Sequence, residues 1–376
     1  MKPDRIFERA FLPALLLGAL ALFLWGTAAT AQAPDKLPPA PPAPRYKPKP
    51  TPTPPPLDPE ADVVRISSNL VMVPASVVDA KGQPVHGLQA GDFRLDEEGR
   101  TQQITEIGNP DQVPLDIALL LDISSSVREK SLFSFQQTAA ASFLRQVLKP
   151  IDRAAVFTIS DEPRLIQALA PAETAAATLM MVPPPHSNVP TAFYDAVTAA
   201  TQYLVKNSAE RHRRVIVVVS DGDDNFSNSV RDLSIAEARA GINGETTPAS
   251  QLVSLQHRHQ QAIQEVERTI QRADVTFYSI NPGGPSIRLN QISMRAQEAM
   301  ASMAEATAGN AFVPASEKGL EPVFNQIASE LRGQYLLLYY SNSQSTGGQF
   351  RRIAVAVPSH SELRVRARQG YYSKNK

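Results

Sequence analysis

Three short stretches of the sequence carry carboxylate and hydroxyl side chains that could hold one cation together. They are Asp122-Ile123-Ser124-Ser125-Ser126, Pro190-Thr191 and Ser220-Asp221-Gly222. Carboxylate and hydroxyl oxygens are hard ligands of the kind that Mg²⁺ and Mn²⁺ prefer, and these stretches offer no nitrogen or sulfur ligand. The sequence therefore predicts a magnesium or manganese site whose candidate ligands are Asp122, Ser124, Ser126, Thr191 and Asp221.

The elements before these stretches should bring them to one edge of a sheet. The apolar runs 115–121 and 215–219 are typical of parallel strands buried on both faces, and they end just before Asp122 and Ser220. Thr191 stands where a helix is predicted to start. Because ligands in open α/β sheets bind outside the carboxyl ends of the strands, we expect the three stretches to converge there.

Residues 113–332 alternate between β-rich and helical patterns. The alternation predicts an α/β domain with a Rossmann-like, doubly wound, mostly parallel sheet and helices on both faces. Predicted strands cover 115–121, 154–160, 165–169, 215–219, 275–280 and 311–313, and predicted helices cover 127–148, 191–206, 252–273, 289–308 and 320–331.

The segments on either side of this domain carry β patterns alone. Residues 62–112 and 333–376 each hold only three or four predicted strands, too few to bury an apolar face independently. We therefore expect the two segments to pack together as one β-sandwich of about seven strands, from which the α/β domain is looped out.

The N-terminal residues have the pattern of an export signal followed by a spacer. Residues 1–33 combine a basic start, an apolar run and small residues that allow cleavage after Ala31. The alternative is an uncleaved membrane anchor, although the run of near 15 residues is shorter than the roughly 20 that span a bilayer. Residues 34–61 are proline-rich and predict a disordered, extended linker. We expect a periplasmic or secreted protein.

Composition and missing motifs exclude several classes of function. Lys plus Arg and Asp plus Glu each total 37, so the chain has no net charge with which to bind nucleic acid. Cysteine is absent, which excludes thiolate chemistry and disulfides, and six histidines offer few zinc ligands. The Gly-x-Ser-x-Gly elbow and the phosphate-binding glycine loops are also absent. We expect a protein that is not an enzyme.

The five candidate ligands resemble the metal-ion-dependent adhesion site of the von Willebrand factor type A domain. Asp122, Ser124 and Ser126 match the family's D-x-S-x-S motif, and Thr191 and Asp221 match its threonine and second aspartate. Val189-Pro190 stands where the family usually has glycine before the threonine. The whole layout, from signal and proline spacer to the flanking β segments, also looks like the bacterial exported proteins called VWFA-related domain proteins.

The resemblance implies roles for these residues and a binding mechanism. The hydroxyls of Ser124 and Ser126 would bind the metal directly, Thr191 directly or through water, and Asp122 and Asp221 mostly through water. The cation would then take its remaining ligand from an Asp or Glu side chain of a protein partner. The chain is accordingly expected to be a metal-dependent adhesion or scaffold module.

Other interpretations of the same residues stay open. Asp122 could cap the following helix and Asp221-Gly222 could be a plain turn, with no metal. The chain could instead be a structural or assembly protein of the cell envelope, with a non-essential metal site. In that case Arg364, Arg366 and Arg368, which alternate along the last strand, could contact anionic polymers, although an exposed sheet face is the simpler expectation.

Two weaker patterns are expected to be surface features. His257-Arg258-His259 lies on a predicted helix, where residues two apart do not share a face, so we expect a solvated surface. The polar segment 227–251 is expected to be an insertion near the rim of the metal site. It could select the partner, or it could be a surface loop with no role in binding.

Overall fold

The computed structural model describes residues 70–124, 130–184, 188–244, 247–284, 291–342 and 347–373. The predicted signal peptide, the proline-rich linker and residues 62–69 lie outside the described residues. The first β segment contains β1 (Leu70–Val78), β2 (Arg94–Glu97), β3 (Arg100–Gln102) and β4 (Ile104–Gly108).

The α/β segment follows. Its strands are β5 (Leu115–Asp122), β6 (Arg153–Ile159), β7 (Arg164–Ala170), β8 (Arg213–Val219), β9 (Val275–Ile280) and β10 (Ala311–Phe312). Its helices are α1 (Lys130–Val147), α2 (Ala172–Met180), α3 (Phe193–Asn207), α4 (Asn228–Ile242), α5 (Pro248–Arg272), α6 (Gln291–Ala306) and α7 (Leu320–Gly333). The second β segment contains β11 (Tyr335–Tyr340), β12 (Phe350–Ala356), β13 (Arg364–Ala367) and β14 (Gly370–Tyr372).

Within the described residues, the strand order of the central sheet is β10-β9-β8-β5-β6-β7. All neighbouring strands are parallel except β7, which runs antiparallel to β6. The chain leaves β5 toward β6 on one side and returns to β8 on the other. The carboxyl ends of β5 and β8 therefore flank the point where the sheet reverses its strand order, which is the usual ligand crevice of such sheets.

Helices cover both faces of the sheet, which explains why β5 is mostly apolar. Leu119 of β5 packs on one face with Phe143 of α1 and Phe324 of α7. Leu120 packs on the other face with Phe193 of α3 and with residues of α5 and α6. Every residue of β5 is buried. The fold class predicted from the sequence is confirmed, with its mostly parallel sheet and additional antiparallel strands.

The two β segments pair with each other although more than 200 residues separate them. The sandwich sheets have the orders β13-β1-β11-β4 and β14-β12-β2-β3. Val73 of β1 lies opposite Leu337 of β11, and both share an apolar core with Leu95 of β2 and Ile353 of β12. The apolar faces of both segments are thereby removed from water in one core.

Two of the three arginines on β13 and its continuation join the sandwich to the α/β segment. Arg366 forms an ion pair of 2.6 Å with Glu330 of α7, whose side chain is fully buried. Arg368 pairs with Asp274, which precedes β9, and donates to the carbonyl of Met72 on β1 at 2.7 Å. Only Arg364 is exposed. The expectation of an exposed arginine face is therefore wrong for Arg366 and Arg368.

None of the helices in the described ranges combines the length and apolar character that a membrane span requires.

The ion pair between Arg366 and Glu330 should contribute measurably to stability. We expect Glu330→Ala to lower the free energy of unfolding by about 1–3 kcal/mol, because it leaves a largely buried guanidinium without its carboxylate. Urea denaturation measures the change. The control Glu265→Ala removes an exposed 3.8 Å pair with Arg268 and should cost less than about 0.5 kcal/mol. Equal losses in both variants would contradict this role.

Candidate metal centre

Asp122 is a buried carboxylate held at the carboxyl ends of two strands. It is the last residue of β5, and its side chain is inaccessible to solvent. One carboxylate oxygen accepts a hydrogen bond from the backbone N–H of Ser124 at 2.8 Å, and the other accepts one from the hydroxyl of Ser220 at 2.6 Å. The side chain therefore ties the end of β5 to the end of β8, across the reversal of the sheet.

The turn after β8 places Asp221 beside this carboxylate. The Ser220 hydroxyl accepts from the N–H of Gly222 at 3.0 Å, which closes a tight turn. Gly222 has φ +76°, and a Cβ there would lie 2.7 Å from Cε of Met300, so a larger residue would be strained on both counts. Asp221 is half-buried, and its carboxylate accepts from the N–H of Asp223 at 3.2 Å.

The electrostatics of the pair favour a bound cation. Burial, and after it the negative charge of Asp221, raise the pKa of Asp122 to about 6, although hydrogen bonds from Ser124 and Ser220 oppose the shift. Among the described residues, the charged group with the largest effect on Asp122 is thus another carboxylate. A divalent cation would favour the charged forms of both aspartates. The donor set of carboxylates and the buried Ser124 hydroxyl fits Mg²⁺ or Mn²⁺.

Thr191 lies in a buried loop two residues before the first residue of α3, rather than at the helix start as predicted. Its N–H donates to the side-chain oxygen of Asn225 at 2.9 Å, and its carbonyl accepts from the N–H groups of Asn225 and Phe226 at 3.1 and 3.0 Å. The N–H of Ala192 donates to the carbonyl of Ser160, just beyond β6, at 2.8 Å. The Thr191 loop is therefore bonded directly to the loop that carries Asp221.

Two further aspartates hold these loops together: Asp224, in the loop before α4, caps α3, and Asp195, in α3, caps α4. Asp224 accepts from the N–H of Tyr194 in the first turn of α3 at 2.8 Å, and from the hydroxyl of Ser227 at 2.5 Å. Asp195 in α3 accepts from the N–H of Asn228, the first residue of α4, at 3.0 Å. Carboxylates stabilise helix N-termini. Asp224 therefore fixes the start of α3, and Asp195 fixes the start of α4.

The structure thus brings four of the five candidate ligands to neighbouring loops at one edge of the sheet. Asp122, Ser124 and Asp221 interact directly or through Ser220, and Thr191 is connected through Asn225. Ser126 lies outside the described residues. The described ranges contain no group of three or more His, Cys, Asp or Glu side chains suited to a metal. A metal here would accordingly depend on hydroxyls as well as on the two aspartates.

The sequence-based analysis missed Ser220, Asp224 and Asn225 as residues that build the site. Ser220 was noted only as the residue before Asp221, and no role was predicted for Asp224 or Asn225. Their hydrogen bonds join residues 30 to 98 positions apart. The one local signal is the run of short polar residues 220–225 directly after a buried strand.

A mostly parallel, doubly wound sheet with hydroxyls and aspartates at its reversal defines a class of α/β metal-site domains. The model of the von Willebrand factor type A domain family matches residues 117–223, which include Asp122, Ser124, Thr191 and Asp221. The match confirms, for these residues, the resemblance to the von Willebrand factor type A domain that the sequence predicts. No curated protein matches the chain.

Solved structures similar to the chain are distant in sequence. An aerotolerance-related membrane protein from Bacteroides fragilis is 14% identical over 57% of this chain and 98% of that chain, with a TM-score of 0.37. Proximal thread matrix protein 1 from the mussel byssus, described with a zinc-occupied MIDAS motif, is 15% identical over 63% and 50%, with a TM-score of 0.40. The PilB minor pilin from Streptococcus sanguinis is 12% identical over 62% and 64%, with a TM-score of 0.43.

His259 is buried beside the site, contrary to the solvated surface expected for it. Its Nδ1 lies 3.1 Å from the hydroxyl of Tyr194, whose backbone N–H reaches Asp224. Burial, and after it the positive charges of Arg295 and Arg258, lower the pKa of His259 to about 4. The imidazole is therefore neutral in the folded protein at neutral pH, whereas His257 is exposed.

This burial predicts a loss of stability in mild acid. His259 binds a proton below about pH 6.5 in the unfolded chain, but only below about pH 4 in the folded protein. The free energy of unfolding therefore falls as the pH is lowered from about 6.5 to about 4. Between pH 7 and pH 5, the wild type should lose about 1–2 kcal/mol more unfolding free energy than His259→Gln. Denaturation at both pH values measures the difference. His257→Gln should behave as the wild type; if it matches His259→Gln, the assignment is wrong.

Proposed function

We propose that the protein is an exported, divalent-metal-dependent binding module that grips an acidic residue of a protein partner. The observation that carries the proposal is the buried Asp122, tied to Ser220 at the sheet reversal with Asp221 beside it. Mg²⁺ or Mn²⁺ is the proposed metal because every candidate ligand is a hard oxygen donor.

The chain's own residues would prepare the site in advance. Both carboxylate oxygens of Asp122 already accept hydrogen bonds, which supports a role through metal-bound water. The hydroxyls of Ser124 and Ser126 would hold the metal directly, and that of Thr191 directly or through water. When bound, the metal supplies a Lewis-acidic position that a carboxylate of the partner can occupy. The capping bonds of Asp224 and Asp195 keep the loops in place without taking part in binding.

Export and the absence of catalysis are parts of the same proposal. Export rests on the basic and apolar pattern of residues 1–33, and the proline-rich residues 34–61 would hold the module away from a surface. The non-enzymatic role rests on the lack of nucleophile and phosphate-loop motifs in the sequence. The alternative role, an envelope structural protein, would leave the metal site without effect on association.

Divalent metal should stabilise the folded protein through this site. We expect millimolar Mg²⁺ or Mn²⁺ to raise the melting temperature, because a ligand that binds only the native state stabilises it by mass action, by about 2.7 kcal/mol at 100 times its Kd. The double variant Ser124→Ala/Ser126→Ala should lose the rise, and the exposed control Ser134→Ala should keep it. No rise in the wild type would contradict metal binding.

Partner capture should depend on the metal. A pull-down from envelope extract should recover a protein in Mg²⁺ and lose it in chelator or in Asp221→Ala, whereas the exposed control Glu265→Ala on α5 should still bind. Association that ignores chelator but weakens with salt would identify the structural alternative instead. Turnover of an ester or phosphoester panel that disappears in Ser124→Ala would contradict the non-enzymatic assignment.

A further inference from the structure

A cavity of about 110 Å³ lies between the sandwich and the α/β segment, on the side away from the metal centre. It is lined by residues at the start of β8 and β9, including Arg213 and Val275, and by Met72 and Pro74 of β1. The metal centre lies at the opposite, carboxyl ends of the same strands. The cavity is therefore a separate site, and its two walls come from the two halves of the described fold.

The lining of this cavity carries more positive than negative charge. Four of its side chains are arginines and two are carboxylates, and its one histidine is already paired with Asp116. The arginines are Arg211, Arg213, Arg214 and Arg368, and the carboxylates are Glu210 and Asp274. An excess of two positive charges around one small cavity favours an anionic occupant.

Arg213 is a buried cation of the lining with no carboxylate bonded directly to it among the described residues, and the charges of Asp152 and Asp111 offset its burial only in part. Its side chain is 6% exposed, yet its guanidinium donates only to neutral acceptors among the described residues. These are the carbonyl of Leu331 at 2.9 Å, the carbonyl of Pro110 at 3.1 Å and the side-chain oxygen of Gln334 at 3.2 Å. Burial lowers its pKa to about 10, as expected for a cation removed from water without a direct counter-ion.

Several N–H donors around the cavity have no hydrogen-bond partner in the described structure. They are Nε of Arg213, Arg214 and Arg368 and the amide nitrogen of Gln334. Arg214 is held through one bond from its guanidinium to the carbonyl of Ala273 at 2.9 Å. Buried donors are almost always satisfied in native proteins, so this group has spare hydrogen-bonding capacity.

We propose that the cavity binds a small oxyanion, a phosphate or carboxylate group, between the sandwich and the amino edge of the central sheet. The volume of about 110 Å³ is large enough to hold one such group. Guanidinium groups match the oxygens of phosphate and carboxylate in charge and geometry. Because the two walls belong to different halves of the fold, the bound anion stabilises the seam between them.

The test uses the whole chain titrated with inorganic phosphate, and separately with acetate, at constant ionic strength. Chelator is present throughout, so that an anion bound to metal at the opposite edge makes no contribution. We expect at least one anion to give a saturable calorimetric signal and a rise in melting temperature of about 2 °C or more. A failure of the metal-dependent function leaves this result unchanged, so the two proposals are separable.

Two variants of the lining should shift the affinity in opposite directions. Arg214→Gln should weaken anion binding at least about tenfold, because it removes a charged donor. Asp274→Asn should strengthen it, because it removes a carboxylate while keeping an acceptor for Arg368. The control Arg164→Gln makes the same charge change on β7, away from the cavity, and should leave the affinity as it is.

The outcomes decide the proposal in either direction. Saturable binding that falls in Arg214→Gln, rises in Asp274→Asn and stays constant in Arg164→Gln supports it. Absence of saturable binding by both anions, or equal losses in Arg214→Gln and Arg164→Gln, overturns it and leaves the cavity to water. If Arg214→Gln does not fold, as judged by circular dichroism, a weaker or unchanged affinity in Asp274→Asn overturns it as well.

Discussion

A buried carboxylate at the end of a central strand is the constraint on which the rest of the site depends. Asp122 is removed from water, its charge is opposed by burial and by Asp221, and the hydrogen bonds from Ser124 and Ser220 compensate only in part. An isolated buried charge is costly, so such a residue persists where partners or a cation offset the cost. The local architecture supplies those partners from two strand ends, which is possible only because β5 and β8 are neighbours.

The sequence was enough to predict the residues at the strand ends but not the bonds between loops. Leu119 and Val217 stand in unbroken apolar runs that only doubly covered parallel strands require, so Asp122 and Asp221 could be placed at one edge before any coordinates. Asp224 could not be assigned, because its partner Tyr194 lies thirty positions away on another helix. The periodicity of apolar residues indicates which face of a helix or strand is buried. A hydrogen bond that caps one helix from another element depends on how the elements pack, which the periodicity does not show.

The arginines of β13 are a second case in which the sequence pattern does not predict the tertiary contact. Alternation correctly predicts that Arg364 and Arg366 share one side of a strand, but not which surface that side meets. In the fold, Arg366 meets the buried Glu330 of α7, so a residue expected in solvent instead joins two halves of the protein. His259 was misplaced for the related reason that α5 packs over α3, and only the packed pair encloses it with Tyr194.

The central sheet separates two sites of opposite charge. β8 begins at Arg213, in the cationic cavity, and ends before Ser220 and Asp221 at the metal centre, so its seven residues separate the sites by about 20 Å. At that distance no side chain of one site can contact a ligand bound at the other. Each site therefore has to be explained by its own neighbours: hydroxyls and carboxylates from three loops at the carboxyl edge, and arginines held by backbone carbonyls at the amino edge.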